Sequence, residues 1–509
     1  MHRGHTGRIV LAAAALILVS SVALGGETLP VIPGAHGFGM ETPAGSGRHL
    51  DDPRTRVIKV TNLDTEGPGS LQAALSARGP RVIVFEIGGT IDYRPFGHVS
   101  INNPYVTIAG QTAPSPGITL RGCEINLRTH DVLMQHIRVR VGDLRDPNRP
   151  LRNEAGWSQW SERDCMKVSG RRIVIDHCSF SWATDENIQS RAGRVTFRRN
   201  MITECLNSPK HHKGGHSKGL LILDQSPRDR VVPEEDRESR YVAVVGNLFA
   251  YNADRNPTAS GGARIAIVNN FVYGATVRPR IGVTLGNKPV QGSRGGGIRA
   301  TMQNNHYDTV PRVIRFIARR RVVGRAYLGE LLFTYTNEQG ERVDELIEDP
   351  WTADHMLIFK EWCGERIYPL KSKVDEPPVR IPGLEIRPTR EVREWVLAGA
   401  GARPADRDAT DRRVVRSVRN RTGRIIESQL QVPEYSAENT PPDPATAEPE
   451  MGGLGEEDDP AMTMPETRDN YRRLTVPEDP HGDEDGDGYT NLEEWLHGFA
   501  AEVEGDQPR

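Results

Sequence analysis

Short apolar segments recur along this chain at a nearly constant interval. Their centres lie about 22 to 25 residues apart, and each is bounded by Gly, Asn, Asp or Pro, as is typical of strands joined by turns. A period of this size predicts a solenoid, in which each coil buries its apolar face by stacking on its neighbours. We therefore predict an all-β fold, a parallel β-helix. The segments are Ile173–Ile175, Val195–Phe197, Leu220–Ile222, Val242–Val245 and Ile265–Ile267.

The region from about Val57 to Val310 alternates such segments with turn-forming residues and offers one clear helix. That helix is predicted over Leu71–Ala77, with Ser70 as its N-cap. Several strands end in asparagine, and such side chains can stack at equivalent turns of successive coils. We predict that they hydrogen-bond to the backbone of neighbouring coils. The asparagines are Asn200, Asn247, Asn269, Asn270, Asn304 and Asn305.

Beyond Val310 the strand rhythm fades. We assign residues 26–310 to the β-helix and residues 311–435 to an extension that packs on it. Within the extension, residues 312–347 remain β-like, residues 390–398 favour a short helix, and the Arg- and Asp-rich residues 399–427 are expected to contact the solenoid through polar groups. Residues 436–478 are rich in Pro, Glu and Gly and predict a disordered acidic linker.

A twelve-residue acidic loop follows the linker and defines a last unit over residues 479–500. Carboxylates at ligand positions 1, 3 and 5, glycine at 6, a backbone carbonyl at 7 and a carboxylate at 12 are the oxygen donors of an EF-hand-like calcium loop. The loop predicts a single calcium site with a structural or attachment role. Its residues in that order are Asp483, Asp485, Asp487, Gly488, Tyr489 and Glu494.

The first 25 residues are typical of a secretory signal peptide. Arg3 and Arg8 form a positive start, Ile9 to Val19 an apolar core, and small residues follow. A retained membrane anchor is the alternative interpretation. We expect a secreted, periplasmic or extracellular protein that has no membrane contact after signal removal.

Composition adds little about partners. The hydrophobic content of 37% and the 51 glycines suit many short strands and turns, and the formal net charge of −3 favours no class of partner. The five cysteines match no zinc-ligand spacing, and for an exported chain they are few and odd in number. They fit one or two disulfides or small buried core residues. They are Cys123, Cys165, Cys178, Cys205 and Cys363.

Several motifs together resemble those of pectate lyases of the calcium-dependent, right-handed parallel β-helix type. The resemblance extends from Gly37 to about Glu427, and the tail motif Ala400-Gly-Ala-Arg-Pro404 resembles the bacterial, secreted branch. It implies β-elimination across a glycosidic bond of polygalacturonate. The other motifs are Val57-Ile-Lys-Val-Thr-Asn-Leu63, Gly67-Pro-Gly-Ser-Leu71, Val106-Thr-Ile-Ala-Gly-Gln-Thr-Ala-Pro114, Ile175-Asp-His-Cys-Ser-Phe180 and Arg255-Asn-Pro257.

The resemblance implies a calcium ion held by Asp164 and Asp185. Calcium bridging the uronate carboxylate to the protein stabilises the charge that develops when the C5 proton leaves. The two aspartates are separated by about one coil, so their strands are expected to stack roughly 4.8 Å apart. The family places another acid at the position of Gln189, and Glu186 is the candidate to replace it.

The resemblance also implies the catalytic residues. Arg255 matches the base of the family, and Lys218 matches the lysine that contacts the substrate carboxylate. An arginine is nearly always protonated, so this role requires a calcium-rich site and alkaline conditions. A second arginine of the family is replaced here by Ser260, and Arg264 is a candidate to compensate.

Other charged residues receive a structural interpretation. We expect His177 to hold a turn, not to act as a base. His211, His212 and His216 are expected in an exposed loop on the substrate side, not in a transition-metal site. The arginines between Arg312 and Arg325 fit either a solvated face or contact with a polyanion.

Two other functions remain open on the sequence alone. A β-helix glycoside hydrolase needs clustered acids, and Asp176, Asp185 and Glu186 are candidates. A non-catalytic carbohydrate-binding solenoid is compatible with Gln189 and Ser260. For the leading hypothesis, a lyase, we expect a monomer whose partner is polygalacturonate or another acidic polysaccharide, whose cofactor is Ca²⁺, and which binds no nucleic acid.

Overall fold

The structure of the chain is a computed structural model. It describes residues 29–49, 54–94, 97–143, 162–207, 211, 213–223, 241–260, 262–275, 284–286, 298–310, 315–317, 324–351, 373–433, 467–468 and 470–505. The predicted signal peptide, Cys363, His212 and residues 436–466 of the predicted linker lie outside these residues.

Short strands dominate the described part of the chain, as the sequence predicted. In chain order the strands and α-helices are β1 (Arg56–Val60), α1 (Leu71–Ser76), β2 (Arg81–Phe85), β3 (Gly89–Asp92), β4 (His98–Ile101), β5 (Val106–Ala109), β6 (Ile118–Arg121), β7 (Glu124–Gln135), β8 (Ile137–Arg140), β9 (Met166–Asp176), β10 (Ser179–Ser181), β11 (Glu186–Ser190), β12 (Gly193–Arg198), β13 (Met201–Thr203), β14 (Lys218–Ile222), β15 (Tyr241–Val245), β16 (Leu248–Ala250), β17 (Thr258–Ser260), β18 (Arg264–Val268), β19 (Phe271–Tyr273), β20 (Thr284–Gly286), β21 (Arg299–Gln303), β22 (Asn305–Asp308), β23 (Arg315–Ile317), β24 (Arg325–Leu328), β25 (Leu331–Thr336), β26 (Arg342–Ile347), α2 (Thr389–Gly399), α3 (Ala409–Asn420), β27 (Thr467–Arg468), β28 (Tyr471–Arg472) and α4 (Asn491–Glu504).

The strands stack into three parallel ladders, which confirms the predicted parallel β-helix. The first ladder contains β4, β7, β9, β11, β14, β17, β20 and β23, and the third runs from β3 through β6, β8, β10, β13, β16, β19 and β22 to β25. The second contains β1, β2, β5, β7, β9, β12, β15, β18, β21 and β24. The long strands β7 and β9 cross from the first ladder to the second. Only β26 closes its ladder antiparallel, against β25.

Side chains that point inward from the three ladders form one continuous apolar core. Phe85, Phe180, Phe197 and Phe249 are each fully buried in it. The helix α1 packs its Leu71, Ala74 and Leu75 on the same core, and Ser70 caps it as predicted, accepting a 3.2 Å hydrogen bond from the Ala73 N–H. The four described cysteines are free and buried, so they serve as small core residues.

Four of the six asparagines predicted to stack, Asn200, Asn247, Asn270 and Asn305, do so, whereas Asn269 bonds to the Asn304 and Arg387 carbonyls. The Asn247 side chain accepts a 2.9 Å bond from the Asn200 N–H and donates a 2.9 Å bond to the Phe197 carbonyl. Asn270 and Asn305 repeat the pattern in the next coils. Each rung therefore satisfies backbone groups where one coil passes to the next.

One of the periodic segments belongs to a different ladder from the others. Leu220–Ile222 lies in β14 of the first ladder, whereas the other four segments lie in the second. Val195 of β12 pairs directly with Val242 of β15, so this coil is about twice as long as the period predicted. Apolar spacing alone does not distinguish the ladders, because all three bury the same residue types.

The helices α2 and α3 pack on the third ladder. The helix predicted over residues 390–398 is α2, whereas α3 was not predicted. Apolar contacts hold both, in addition to the polar contacts that the sequence indicated. Asp411 of α3 accepts a 2.6 Å bond from buried Arg140, and Arg413 bonds to Glu204 at 2.6 and 2.8 Å. The apolar cluster contains Val392, Val396, Val414 and Val418 with Met201, Leu248 and Phe271.

The C-terminal segment lies on the second ladder. Residues 470–478 were predicted as the end of a disordered linker, but Leu474 is buried, and its N–H donates a 2.9 Å bond to Glu86. Leu492 and Leu496 of α4 pack beside it on Val82 and Val84. Apolar side chains at this spacing stabilise an otherwise polar segment. No helix among the described residues is long and apolar enough to cross a membrane.

Candidate active site

Five of the predicted site residues meet where the chain enters the first ladder. Asp164 lies two residues before β9, Glu186 begins β11, and Asp185 immediately precedes it. Lys218 begins β14, and Arg255 lies just before β17. Successive coils thus carry one or two of these residues each, and strand stacking brings them together.

The register of the coils decides which residues stand opposite each other. Ile188 of β11 pairs with Met166 of β9, which places Glu186 opposite Asp164. The Glu186 N–H donates a 3.1 Å hydrogen bond to Oδ1 of Asp164. Glu186 in turn pairs with Lys218. Strand pairing therefore brings Glu186, the candidate to replace the third acid of the family, into the cluster.

Three carboxylates converge at this position, and one oxygen of Asp164 accepts no hydrogen bond from the described residues. Oxygen atoms of Asp164, Asp185 and Glu186 lie within 4.8 Å of one another. Asp164 is 0% exposed, and its Oδ2 accepts no hydrogen bond from the described residues. Burial first, and then the Asp185 and Glu124 carboxylates, raise the pKa of Asp164 well above its usual range, against the opposing effect of Lys167. An unpartnered buried oxygen among three acids fits a hard divalent cation such as calcium.

A fourth acid that the sequence did not indicate joins this group. Glu124, at the start of β7, accepts a 3.1 Å bond from the Asp164 N–H and a 2.6 Å bond from Lys167. Lys167 also lies 3.7 Å from Oδ2 of Asp164. The sequence offered one signal for Glu124, namely that Glu124 and Lys167 each lie beside an apolar segment. Only the register of β7 with β9 brings these two residues together.

The two predicted catalytic cations face the acids. The Arg255 guanidinium contacts the Glu186 carboxylate, and the Lys218 ammonium lies 3.6 Å from Asp185 and 3.8 Å from Glu186. Burial lowers the pKa of Arg255, opposed by Asp185 and Asp164, and burial likewise lowers the pKa of Lys218. The backbone of Arg255 is left-handed, with φ 60°, and its N–H donates a 2.8 Å bond to its neighbour Asp254.

Two histidines of the loop that was predicted to be exposed, His211 and His216, are buried beside Asp185. His216 lies 2.6 Å from Asp185, contacts the Lys218 ammonium, and stacks on His211 with ring centroids 3.8 Å apart. His211 and His216 are buried and not exposed, because they pack on each other beside Asp185. His212 lies outside the described residues.

Two positions depart from the family pattern, Gln189 and Ser260, and both lie in strands of the first ladder. Gln189 lies in β11, where its backbone stands opposite Lys167. Ser260 ends β17 and pairs with Gly286. The candidate compensating residue, Arg264, donates a 3.2 Å bond to the Tyr241 hydroxyl and lies over that ring at 5.2 Å. These contacts engage Arg264 with Tyr241 and not with the acids.

Asp176 does not belong to the acid cluster. It ends β9, is fully buried, and accepts bonds of 2.7 Å from Arg198 and 2.9 Å from Gln135. His177 lies beside it at 2.9 Å, in a left-handed turn with φ 44°. The acid pair that a hydrolase would need is therefore not formed by Asp176 with Asp185 or Glu186.

The predicted calcium loop adopts a compact turn. Oxygen atoms of Asp483, Asp485 and Asp487 lie within 4.8 Å of one another, and Asp483 accepts a 3.0 Å bond from the Gly488 N–H. Gly488 has φ +94°, which favours glycine. Desolvation first, and then these aspartates, raise the pKa of Glu494. The Tyr489 hydroxyl donates a 2.8 Å bond to the Pro30 carbonyl, which ties the loop to the N-terminal segment.

Comparisons with known proteins bear on this site. No protein-family model matches the chain. It is 31% identical over 267 residues to a Neosartorya fischeri protein named "Probable pectate lyase C", covering 52% of each sequence. It is 30% identical over 299 residues to the Emericella nidulans protein of the same name, covering 55% of this chain and 60% of that one. The chain thus spans about half the length of the curated relatives it matches.

Solved structures also align with the chain. A Bacillus subtilis pectate lyase aligns with a TM-score of 0.44 at 15% identity, covering 74% of this chain and 98% of that one. The cedar-pollen allergen jun a 1 aligns with a TM-score of 0.44 at 14% identity, covering 71% and 90%. The sequence similarity to proteins named pectate lyase confirms the resemblance that the motifs predicted. The Neosartorya and Emericella relatives are fungal, so the assignment to a bacterial branch stays a prediction.

Proposed function

We propose that this protein is an exported polysaccharide lyase that cleaves polygalacturonate, or a related uronate polymer, by calcium-assisted β-elimination. The observation that carries the proposal is the meeting of Asp164, Asp185 and Glu186 with Lys218 and Arg255 on one ladder. The similarity to proteins named pectate lyase supports it.

Asp164, Asp185 and Glu186 are the residues that would hold the calcium ion. The Oδ2 of Asp164 accepts no hydrogen bond from the described residues, and burial and the neighbouring acids raise the pKa of that carboxyl despite the presence of Lys167 and Arg255. Calcium, when bound, would neutralise the uronate carboxylate and stabilise the charge that develops as the C5 proton leaves. Glu124 positions this group, because its carboxylate binds both the Asp164 N–H and Lys167.

Arg255 is proposed as the base that accepts the C5 proton. The electron pair of the C5–H bond then forms the C4–C5 double bond, and the glycosidic oxygen leaves C4. In the structure the Arg255 guanidinium contacts Glu186, which favours its protonated form, so the proposed role requires this ion pair to open. Burial favours the neutral form. Lys218 lies at the same edge, where it would bind the substrate carboxylate.

A hydrolase is less well supported by this arrangement. Two acids acting as acid and base must flank one glycosidic bond. Asp176 is buried among Arg198, Gln135 and His177, which leaves it no access to substrate. The acids that do converge face the two cations Lys218 and Arg255, which fit a polyanion.

The loop Asp483–Glu494 is proposed as a separate, structural calcium site. Asp483, Asp485, Asp487, the Tyr489 carbonyl and Glu494 would be its ligands. The Tyr489 side chain and helix α4 pack on the rest of the protein, so an ordered loop would help to hold this segment in place. Export through the N-terminal signal, a monomeric state and an acidic polysaccharide partner complete the proposal.

The product of the reaction tests the proposal. Polygalacturonate, methylated pectin and alginate would each be incubated with the full mature chain, with calcium or with chelator. A lyase yields an unsaturated uronate with new ultraviolet absorbance, and we expect this product only with calcium. Reducing ends without that absorbance would establish a hydrolase instead, and substrate binding without any product would establish a carbohydrate-binding solenoid.

A further inference from the structure

A second cluster of histidine and carboxylate side chains lies at the other end of β9 from Asp164 and the acids around it. It consists of His136, which follows β7, His177, which follows β9, and Glu504, the last residue of α4. Each offers one ligand atom, and the three atoms lie within 4.8 Å of one another. We call these three residues the His–Glu cluster. The two imidazole rings are nearly parallel, at 10°, with centroids 5.3 Å apart.

The partner of His136 decides which ring nitrogen carries the proton in the neutral tautomer. Its Nδ1 lies 2.6 Å from the Ala402 carbonyl, which only accepts hydrogen bonds, so Nδ1 carries the proton. In the neutral ring, Nε2 then carries a lone pair and no proton. His136 is 0% exposed, and its Nε2 has no hydrogen-bond partner among the described residues. The atom nearest to it in this cluster is Oε1 of Glu504, another acceptor, at 3.5 Å.

His177 is held in the same way. Its Nδ1 lies 2.9 Å from Oδ2 of Asp176, a carboxylate that Gln135 and Arg198 keep in place. The same Nδ1 lies 3.6 Å from Oε1 of Glu504, and Nε2 is buried without a partner in the described part of the chain. A carboxylate on one nitrogen of a histidine is the usual support for a histidine that binds a metal.

The separation of His136 from Glu504 is compatible with two ligands of one metal ion. N–H···O hydrogen bonds are about 2.7 to 3.2 Å long, whereas Nε2 and Oε1 are 3.5 Å apart. Two donor atoms bound tetrahedrally to zinc, at about 2.0 to 2.2 Å each, stand roughly 3.4 Å apart. The observed distance therefore suits two ligands of one ion.

One further charged residue approaches the cluster. Arg199 interacts electrostatically with Glu504, and its guanidinium stacks on Trp395 at 4.2 Å. A divalent ion would take the Glu504 carboxylate and one nitrogen of each imidazole as its ligands.

We propose that His136, His177 and Glu504 bind a divalent transition-metal ion of the zinc class, which attaches helix α4 to the β-helix. Two imidazoles and one carboxylate select zinc over calcium, which takes oxygen ligands. Both imidazoles are buried and the Glu504 side chain is 14% exposed, which leaves little room for a substrate, so we assign the ion a structural role. It would fix the C-terminal end of α4, while the acidic loop fixes the segment before its N-terminal end.

Zinc binding by the full mature chain tests this assignment, with calcium in excess to fill the all-oxygen sites. The test variant is Glu504→Gln, which keeps the shape of the side chain and removes its charge. The matched control is Glu502→Gln on the same helix turn, where Glu502 is exposed and pairs with Arg472 at 3.5 Å. We expect one zinc per chain in the wild type and in the control, and zinc affinity at least about tenfold lower in Glu504→Gln.

A crystal of the wild type soaked in zinc gives a readout that needs no variant. We expect an anomalous-scattering peak between His136, His177 and Glu504. A peak only at the His211–His216 pair beside Asp185 would overturn the assignment. Equal zinc affinity in the wild type and in Glu504→Gln would also overturn it, as would an imidazolium signal for His136 in nitrogen NMR with zinc in excess. In those cases the His–Glu cluster is a buried ion pair.

Discussion

The Glu186 main-chain N–H donates a 3.1 Å hydrogen bond to Oδ1 of Asp164, one coil of the β-helix below it. This bond orients the Asp164 carboxylate and occupies one oxygen, so that Oδ2 is left buried without a hydrogen bond from the described residues. Strand pairing therefore does two things at once. It places the Glu186 side chain beside Asp164, and it leaves Oδ2 of Asp164, 3.7 Å from Lys167, without a hydrogen bond from the described residues.

Asp164→Asn is expected to weaken calcium binding at this site by at least about 100-fold, because it removes a charged ligand. The amide oxygen can still accept the bond from the Glu186 N–H, so the coil should keep its register. Since burial and neighbouring acids raise the pKa of Asp164, the uncharged amide should also make the protein more stable in chelator. Calorimetric titration with calcium and thermal unfolding in chelator measure the two effects.

Asp64→Asn on an exposed loop is the control for this experiment and should change neither quantity. Wild-type calcium affinity in Asp164→Asn would show that the acids around Asp164 hold no calcium.

Arg255→Lys keeps the positive charge and loses the planar guanidinium and its reach. If Arg255 accepts the C5 proton, kcat should fall by about 10² to 10⁴-fold with KM nearly unchanged, because the lost interaction belongs to the transition state. Initial rates over a range of polygalacturonate concentrations separate the two constants. Arg264→Lys is the matched control, since Arg264 is engaged with Tyr241, and it should retain wild-type kcat. A raised KM with normal kcat in Arg255→Lys would make Arg255 a substrate anchor.

The sequence predicted those site and stack residues that are separated by about one coil of the β-helix. The resemblance to pectate lyases indicated Asp164 and Asp185, and the interval between them is close to one coil. The asparagine stack was predicted because each asparagine ends a strand. Glu124 was missed, because the segment between β8 and β9 separates it from Asp164 by 40 residues, well over one predicted coil. Its proximity to Asp164 depends on the pairing of Ile125 with Met166, which no local pattern encodes.

The His–Glu cluster shows a second limit. Glu504 is far along the chain from His136 and His177, and nothing in its own segment distinguishes it from Glu502. The packing of Leu492 and Leu496 on the second ladder brings α4 against the β-helix. The tail motif contributes as well, since the Ala402 carbonyl accepts the His136 proton. Gly401 allows this close approach, with φ +101° and Met201 where a Cβ would be.

Glu494→Gln is expected to remove most of the calcium affinity of the acidic loop, because the bidentate carboxylate at position 12 closes the shell. At calcium 100-fold above the dissociation constant, binding stabilises the folded state by about 2.7 kcal/mol. The variant should lose that stabilisation. Thermal unfolding with and without calcium measures it. Glu484→Gln, at a position of the loop that supplies no ligand, is the control. Equal calcium stabilisation in both variants would argue against a calcium loop.

Asn247→Ala should destabilise the β-helix by about 2 kcal/mol or more. The substitution leaves the buried Asn200 N–H and Phe197 carbonyl without their partners, and each such group costs about 1 to 3 kcal/mol. Urea unfolding followed by circular dichroism measures the change. Asn102→Ala, at an exposed turn, should stay within about 0.5 kcal/mol of the wild type. A similarly small effect at Asn247 would mean that water replaces the lost partners.

The pH dependence of stability should carry a contribution from His306 in β22. Burial lowers the pKa of this histidine to about 4, and its Nε2 lies 2.8 Å from the Thr334 hydroxyl. Between about pH 6.5 and pH 4 the unfolded chain binds a proton that the folded chain does not. Stability from this group is therefore complete above pH 6.5 and is lost as the pH falls through this window.

The loss attributable to His306 should reach about 2 kcal/mol between pH 7 and pH 5. Urea unfolding of the wild type and of His306→Gln at both pH values measures it, because the glutamine can still bond to Thr334 but does not titrate. All other titrating groups contribute equally to the two proteins and cancel in the difference. We expect the wild type to lose about 2 kcal/mol more than the variant. Parallel pH profiles would mean that His306 becomes protonated in the folded protein at its ordinary pKa.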